Sequence, residues 1–199
     1  MRPILALLTA LLVPVASAAP STVVPSNAMP TGTYASWGTQ WWIWALTSPE
    51  DADPVQDLTG QYCGVNQRGD IWFLAGTYEN GTAVRRTCTI PVGKTVFFPI
   101  LNYRVLAKSQ ETCTQNLQAV TAPMEAASGL SVRMDGEPLA GVTRGVTDGC
   151  VYLTSYRIWL GSDGYWMAVK FTIPGRHTLA FTGAMSGFRQ DVSYTLVVK

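Results

Sequence analysis

The hydrophobic pattern changes its period once along the chain. Over "YASWGTQWWIWAL" the large apolar residues recur at helical spacing, so that Tyr34, Trp37, Trp41, Trp44 and Ala45 share one face, with Gly38 and Trp42 at its edge. Ser36, Thr39 and Gln40 lie opposite. Thr33 is the expected N-cap, and Ser48-Pro49 ends the helix because the residue before a proline disfavours helical geometry. An aromatic stripe at this spacing is the pattern of core packing. Trp37, Trp41 and Trp44 are therefore expected to face inward, while Trp42 keeps a claim to the surface.

From Ile71 onward the period is two and the chain reads as strands punctuated by turn chemistry. Ile71 to Gly76, Ala83 to Ile90 and Thr95 to Leu101 form an expected meander around Glu79-Asn80-Gly81 and Pro91-Val92-Gly93. A short helix interrupted by Pro123 is expected within Thr114 to Ala127. Leu130 to Met134 and Leu139 to Thr143 flank Asp135-Gly136-Glu137-Pro138. The last third predicts Val151 to Leu160, Tyr165 to Ile173, Arg176 to Phe181 and Asp191 to Val198, joined by Gly161 to Gly164, Pro174-Gly175 and Gly183 to Gly187. The fold class this implies is mainly β: an antiparallel β-sandwich, immunoglobulin-like or jelly-roll, with the tryptophan helix packed on it.

Ahead of the helix, Met1-Arg2, the apolar run Ile4 to Val15 and the small-residue signal Ala16-Ser17-Ala18 read as a secretory signal peptide over 1–18. The run is shorter than the roughly 20 residues that span a bilayer, so no transmembrane segment is expected and the product is secreted, extracellular or periplasmic. Residues 19–32, rich in Pro, Ser and Thr, form an extended lead-in, and 33–199 make a single domain.

Export makes the four cysteines disulfide candidates. Three connectivities are possible; the local one, Cys63 with Cys88 and Cys113 with Cys150, is favoured. None of the spacings is the close ligand pair of a zinc site, so no metal or other cofactor is expected. Loss of Arg2 with the leader brings Lys plus Arg to parity with the 13 acidic residues. Without a concentrated positive field, nucleic acid is not an expected partner.

His177 is the only histidine, which leaves the serine, cysteine and zinc hydrolase mechanisms competing for one residue. Its parity with Leu179 and Phe181 makes it a structural histidine at a strand start. Glu50, Asp51, Asp53 and Asp57 form an acidic cluster that lacks the EF-hand glycine and distal glutamate, and a solvated loop is expected there. Arg86 shares parity with Cys88 and needs a partner if buried, with Asp70 or Glu79 as candidates. Asn80-Gly81-Thr82 is a glycosylation sequon in a predicted turn. No catalytic residue is nominated, and the chain reads as a binder rather than an enzyme.

Aromatic side chains are then the remaining candidates. Tyr165, Met167, Val169, Phe171 and Ile173 share one face of their strand, which puts Trp166 on the opposite and exposed one. Trp166, Trp42 and Trp159 are the candidate ligand-binding rings, and a polysaccharide or cell-surface ligand is the expected partner. An extracellular hydrolase with two facing carboxylates and a structural surface protein are the alternatives.

Trp37-x-x-x-Trp41-Trp42-x-Trp44-Ala45-Leu46, Trp72-Phe73-Leu74-Ala75-Gly76, Cys88-Thr89-Ile90-Pro91-x-Gly93-Lys94-x-x-Phe97-Phe98-Pro99-Ile100, Ser162-Asp163-Gly164-Tyr165-Trp166 and Pro174-Gly175-x-His177-Thr178 occur in order over most of the mature chain. In these motifs the chain resembles an uncharacterised family of secreted, mostly bacterial proteins. The resemblance implies export and a shared architecture, and supplies no catalytic residue.

Overall fold

Apolar residues on both faces of one long strand pair organise this protein. In the computed structural model, which describes residues 21–24, 28–29, 32–147 and 149–199, β4 (Thr95–Ala107) and β9 (Ile158–Phe171) run antiparallel, with Thr95 opposite Lys170 and Ala107 opposite Trp159. The signal-peptide segment, 1–18, lies outside the described residues. β2 (Ile71–Phe73) lies beside β4, and the other edge of β9 is covered in succession by β8 (Val151–Leu153), β7 (Thr143–Val146) and β1 (Ser21–Val23). β1 comes from the lead-in, which is therefore partly tied to the sheet. The second sheet has the order β3 (Ala83–Ile90), β11 (Phe188–Val198), β10 (Gly175–Met185), β5 (Ser128–Met134), β6 (Glu137–Pro138).

The two sheets share one core. Val96, Phe98, Ile100, Met167, Val169 and Phe171 of the first meet Val84, Ile90, Val132, Leu179, Phe181 and Val192 of the second. The first sheet's other face is apolar as well: Phe97, Leu160, Trp166 and Ala168 bury against Tyr34, Trp41, Trp42 and Trp44 of helix α1 (Tyr34–Thr47). A strand buried on both faces loses the apolar/polar alternation, which is why Thr95 to Leu101 reads as a continuous hydrophobic run. The Thr33 hydroxyl accepts from Ser36 N–H and Ser36 Oγ returns the bond to the cap, so α1 begins where its capping chemistry places it.

Several expectations are corrected. The sheets are not wholly antiparallel: β3 pairs with β11 in parallel, and β2 with β4 likewise. The Ile71 to Leu101 meander is absent, because Glu79-Asn80-Gly81 carries the chain from one sheet to the other. Gly161 to Gly164 is not a turn but the middle of β9. Its glycines answer close approach instead: a Cβ on Gly161 would sit 3.1 Å from Cys150 Sγ, and one on Gly164 2.8 Å from Trp166 Cε2. Between them Asp163 is fully buried and takes a forked pair of bonds from Arg144, Nε to Oδ1 at 3.1 Å and Nη2 to Oδ2 at 2.6 Å. That hydrogen bond, foremost, holds the Arg144 guanidinium above its usual pKa. Helix α2 (Gln110–Glu125) starts earlier than expected, capped by Ser109, and continues through Pro123 instead of being interrupted by it. The Leu139 to Thr143 strand gives way to the short β6 and to β7.

Gly38 offers a test of the α1 interface. In an isolated helix Gly→Ala stabilises by about 1 kcal/mol. Here the added Cβ would lie 2.8 Å from Trp166 Cζ2 and 2.9 Å from Cε2, in a ring with no room to move. Gly38→Ala is expected to destabilise by about 1–3 kcal/mol, read as a lower urea midpoint at unchanged slope. A raised midpoint would mean that α1 does not press on Trp166 as described.

Candidate functional site

The three candidate rings meet three different fates. Trp166 is 0% exposed: its parity is the one expected, but the face it occupies is covered by α1, and its ring stacks on Phe97 at 5.2 Å and meets Trp41 edge-on at 5.8 Å. The expectation of an exposed ring there is overturned, since two-sided burial makes parity a poor guide to solvent. Trp42 is 3% exposed and packs against Trp41, yet its buried edge lines a groove. Trp159 is half-buried, its ring 5.2 Å from that of the exposed Tyr152, beside the Cys113–Cys150 disulfide.

The groove has a volume of about 490 Å³ and lies where the first sheet outruns its neighbours. β2 pairs with β4 only as far as Phe97; beyond it, a bulge between Pro99 and Leu101 shifts the register against β9. A proline in this stretch costs no ladder bond because β4 has become an edge. The bulge carbonyls are met from the opposite sheet by Gln190, buried, whose Nε2 donates to Pro99 O at 3.3 Å and to Ile100 O, while its Oε1 accepts from Thr77 N–H at 3.3 Å. One side chain thus ties β4, the Thr77-Tyr78 segment and β11 together.

One wall is β4 from Asn102 to Leu106, with Trp42 behind it. Tyr78 stands beside it, and the β10–β11 hairpin, through Met185, Ser186 and Phe188, forms the opposite wall. The hairpin is clamped by Asn80, whose Nδ2 donates to Gly187 O at 2.9 Å and whose Oδ1 accepts from Arg189 N–H at 2.9 Å. The sequon asparagine is thus engaged through both ends of its amide. Tyr78 and Tyr103 are 46% and 44% exposed and present aromatic surface to the opening.

Arg104 is the one charged residue of the lining, and its guanidinium lies 4.7 Å from the centroid of the Trp42 ring. It forms no ion pair among the described residues. Burial raises the Tyr78 phenol above its usual pKa despite the opposing charge of Arg104 and the side-chain hydrogen bond between them, so Arg104 is bonded to a neutral hydroxyl rather than to a phenolate. Trp42 Nε1, Asn102 Nδ2 and Arg104 Nε are buried and have no hydrogen-bond partner in the protein. All three are donors. The lining holds no carboxylate and no imidazole.

The other polar candidates are structural. Arg86 is buried without Asp70 or Glu79, which corrects the expected ion pair. Nε donates to Asp57 O at 2.6 Å, Nη2 to Val55 O at 3.0 Å, and Nη1 to Ala75 O, Gly76 O and the Tyr194 hydroxyl at 2.8–3.0 Å. Backbone carbonyls solvate the charge, and in return Arg86 ties the segment ahead of Tyr78 to the second sheet. His177 is buried and its Nδ1 lies 2.7 Å from Asp135 Oδ2; since a carboxylate only accepts, Nδ1 carries the proton. Asp53 and Asp57 accept from Val55, Thr59 and Tyr62 N–H, and no cluster of three or more metal-ligating side chains occurs among the described residues. Cys63 pairs with Cys88 and Cys113 with Cys150. No helix among the described residues is long and apolar enough to cross a membrane.

No family model and no curated protein matches the chain. Among solved structures it is similar to PbICP-C, in a structure described as "PbICP-C in complex with falcipain-2", at 10% identity and a TM-score of 0.33, over 66% of this chain and 100% of that one. The solution structure of Amebosin is similar at 15% identity and a TM-score of 0.22, over 60% and 90% of the two chains. Likeness this weak says nothing about a ligand.

Tyr78, Asn102, Arg104 and the hairpin tip were not among the sequence candidates. The available signal was the pair of polar residues two apart, Asn102 and Arg104, ending an otherwise apolar run.

The His177–Asp135 contact predicts a pH dependence. Burial raises the Asp135 carboxyl, but the His177 bond and the Thr178 N–H and hydroxyl outweigh it and leave the group below its usual pKa. A depressed carboxylate contributes stability that is complete above the unfolded-state pKa and is lost as pH falls through the folded one. Urea midpoints should therefore decline on acidification below about pH 4, and Asp135→Asn should flatten that decline. Equal acid sensitivity in the two proteins would show that Asp135 is not its source.

Proposed function

We propose that this is a secreted, disulfide-stabilised β-sandwich of the immunoglobulin-like kind that binds a saccharide, without catalysis, in the groove beside Trp42. The order β2, β4, β9, β7 in one sheet and β6, β5, β10, β11 in the other matches the A-B-E-D and C′-C-F-G order of such domains, from which the parallel β2–β4 pairing departs. On that correspondence the groove lies at the end where β4 leaves for α2 and where the β10–β11 hairpin turns, the end that carries the binding loops of variable domains. Fold analogy alone does not assign a ligand.

The observation that carries the reading is the lining itself: Tyr78 and Tyr103 are exposed aromatic residues of the groove, and Asn102 and Arg104 bring to it donors without a protein partner. Sugars present the same combination in reverse, apolar C–H faces edged by hydroxyl and carbonyl acceptors. The disulfides, the Arg86 fan and the Gln190 bridge hold these walls in place before any ligand arrives, which lowers the ordering cost of binding. With no carboxylate in the lining, this groove does not support the two-carboxylate hydrolase alternative. A second platform is supported by Trp159 and the exposed Tyr152, whose rings lie 5.2 Å apart. Export rests on the sequence of 1–18 and accords with two disulfides.

Titration of the mature protein with a panel of soluble oligosaccharides, followed by calorimetry and tryptophan fluorescence, is expected to find a ligand. Tyr78→Ala should weaken it about tenfold, the equivalent of roughly 1–1.5 kcal/mol for one aromatic contact. If Trp159→Ala weakens binding and Tyr78→Ala does not, the site is the second platform. Absence of binding across neutral and charged panels would dismiss the saccharide reading.

A further inference from the structure

We infer that the groove's ligand is acidic: a saccharide unit bearing a carboxylate, of the uronic acid type, received by Arg104. The inference rests on the saccharide reading of the same groove and adds the charge of its occupant. Three independent features of the lining point to an anion.

The first is the polar make-up of the lining. Asn102 Nδ2 and Arg104 Nε are donors without a protein partner, and the lining holds no carboxylate to match them. A neutral hydroxyl both donates and accepts, whereas a carboxylate only accepts and offers about four lone-pair sites. Asn102 and Arg104 are two apart on β4 and so project to the same side of the strand, about 6.6 Å from one another along it. That places both near one small planar group.

The second is charge. Arg104 has no carboxylate partner among the described residues, only the neutral Tyr78 hydroxyl, whereas the buried Arg86 is matched by four carbonyls and a hydroxyl and the partly exposed Arg144 by Asp163. Asp53, near enough to act on Tyr78, has its oxygens engaged by Val55 N–H and Gln56 Nε2. The third is geometry. The Trp42 ring lies against the guanidinium by cation–π contact and the Tyr78 hydroxyl bonds it, so the cation is held in place at the groove. A carboxylate there completes a cluster of ring, guanidinium and anion, with the sugar ring against Tyr78.

The test compares oligogalacturonate with the same oligomer fully methyl-esterified, which removes the charge and keeps the sugar. The unmodified protein is expected to bind the acid form at least about tenfold more tightly, the usual scale of a charge-assisted bond, and to lose that preference as salt rises. Arg104→Gln should abolish the preference, while Arg104→Lys, which keeps charge but not the fork, should retain part of it. Should Arg104→Gln fail to fold, the acid-to-ester ratio in the unmodified protein decides the matter alone. Equal binding of both oligomers would overturn the acidic ligand and leave the saccharide groove standing. Binding of neither, with neutral panels also silent, would overturn both; binding of peptides with a free C-terminal carboxylate but of no sugar would reassign the anion to a protein partner.

Discussion

Everything in this structure depends on burying both faces of the β4–β9 pair. One face is met by the second sheet, in the way two amphipathic sheets usually share a core. The other carries Phe97, Trp166 and Ala168, too apolar for water, and α1 covers them with Tyr34, Trp41 and Trp44. Burial of each large ring is worth about 2–3 kcal/mol on area grounds, so the helix and the strand pair stabilise each other. Gly38, Gly145 and Gly164 mark where this layering is tightest, each with a neighbour under 3 Å from where a Cβ would stand.

Three layers leave few routes to solvent for polar side chains, and the protein meets this with local matching. Asp163, in the middle of β9, is bonded by Arg144, which also donates to Thr121 O and so draws α2 onto the sheet. Arg86 is surrounded by carbonyls of the Val55–Gly76 segment, and Gln190 serves the β4 bulge. At the groove the balance differs, because Arg104 has no carboxylate partner among the described residues and the lining holds none. Stability and recognition are thereby divided in space: hydrogen-bonded networks around Asp163, Arg86 and Gln190 hold the layers, and the groove opens beside them.

The sequence was most informative where one residue's neighbours are also its neighbours in the chain. Helical periodicity and the Thr33 and Ser48-Pro49 boundaries located α1, and strand parity correctly placed Tyr165, Met167 and Val169 on the inter-sheet face. Local cysteine spacing agreed with the observed pairing. The same reasoning failed at Gly161 to Gly164, because glycine is compatible both with a turn and with a crowded strand, and only the nearby Cys150 sulfur and Trp166 ring decide between them. It failed again at Glu79-Asn80-Gly81, which can close a hairpin or cross between sheets with equal local comfort.

What the sequence determined by itself was a mainly β chain with an amphipathic aromatic helix and two local disulfides, since period, capping and spacing are properties of short segments. What tertiary structure alone decided was which tryptophans meet water and which residues line the groove. Parity assigns a side chain to a face but does not say whether another layer covers that face, and α1 covered Trp166. The groove joins Trp42, Tyr78, Arg104 and Phe188, drawn from four separated stretches of chain. Their proximity follows from a parallel β3–β11 pairing and a bulge in β4, both set by contacts distant in sequence.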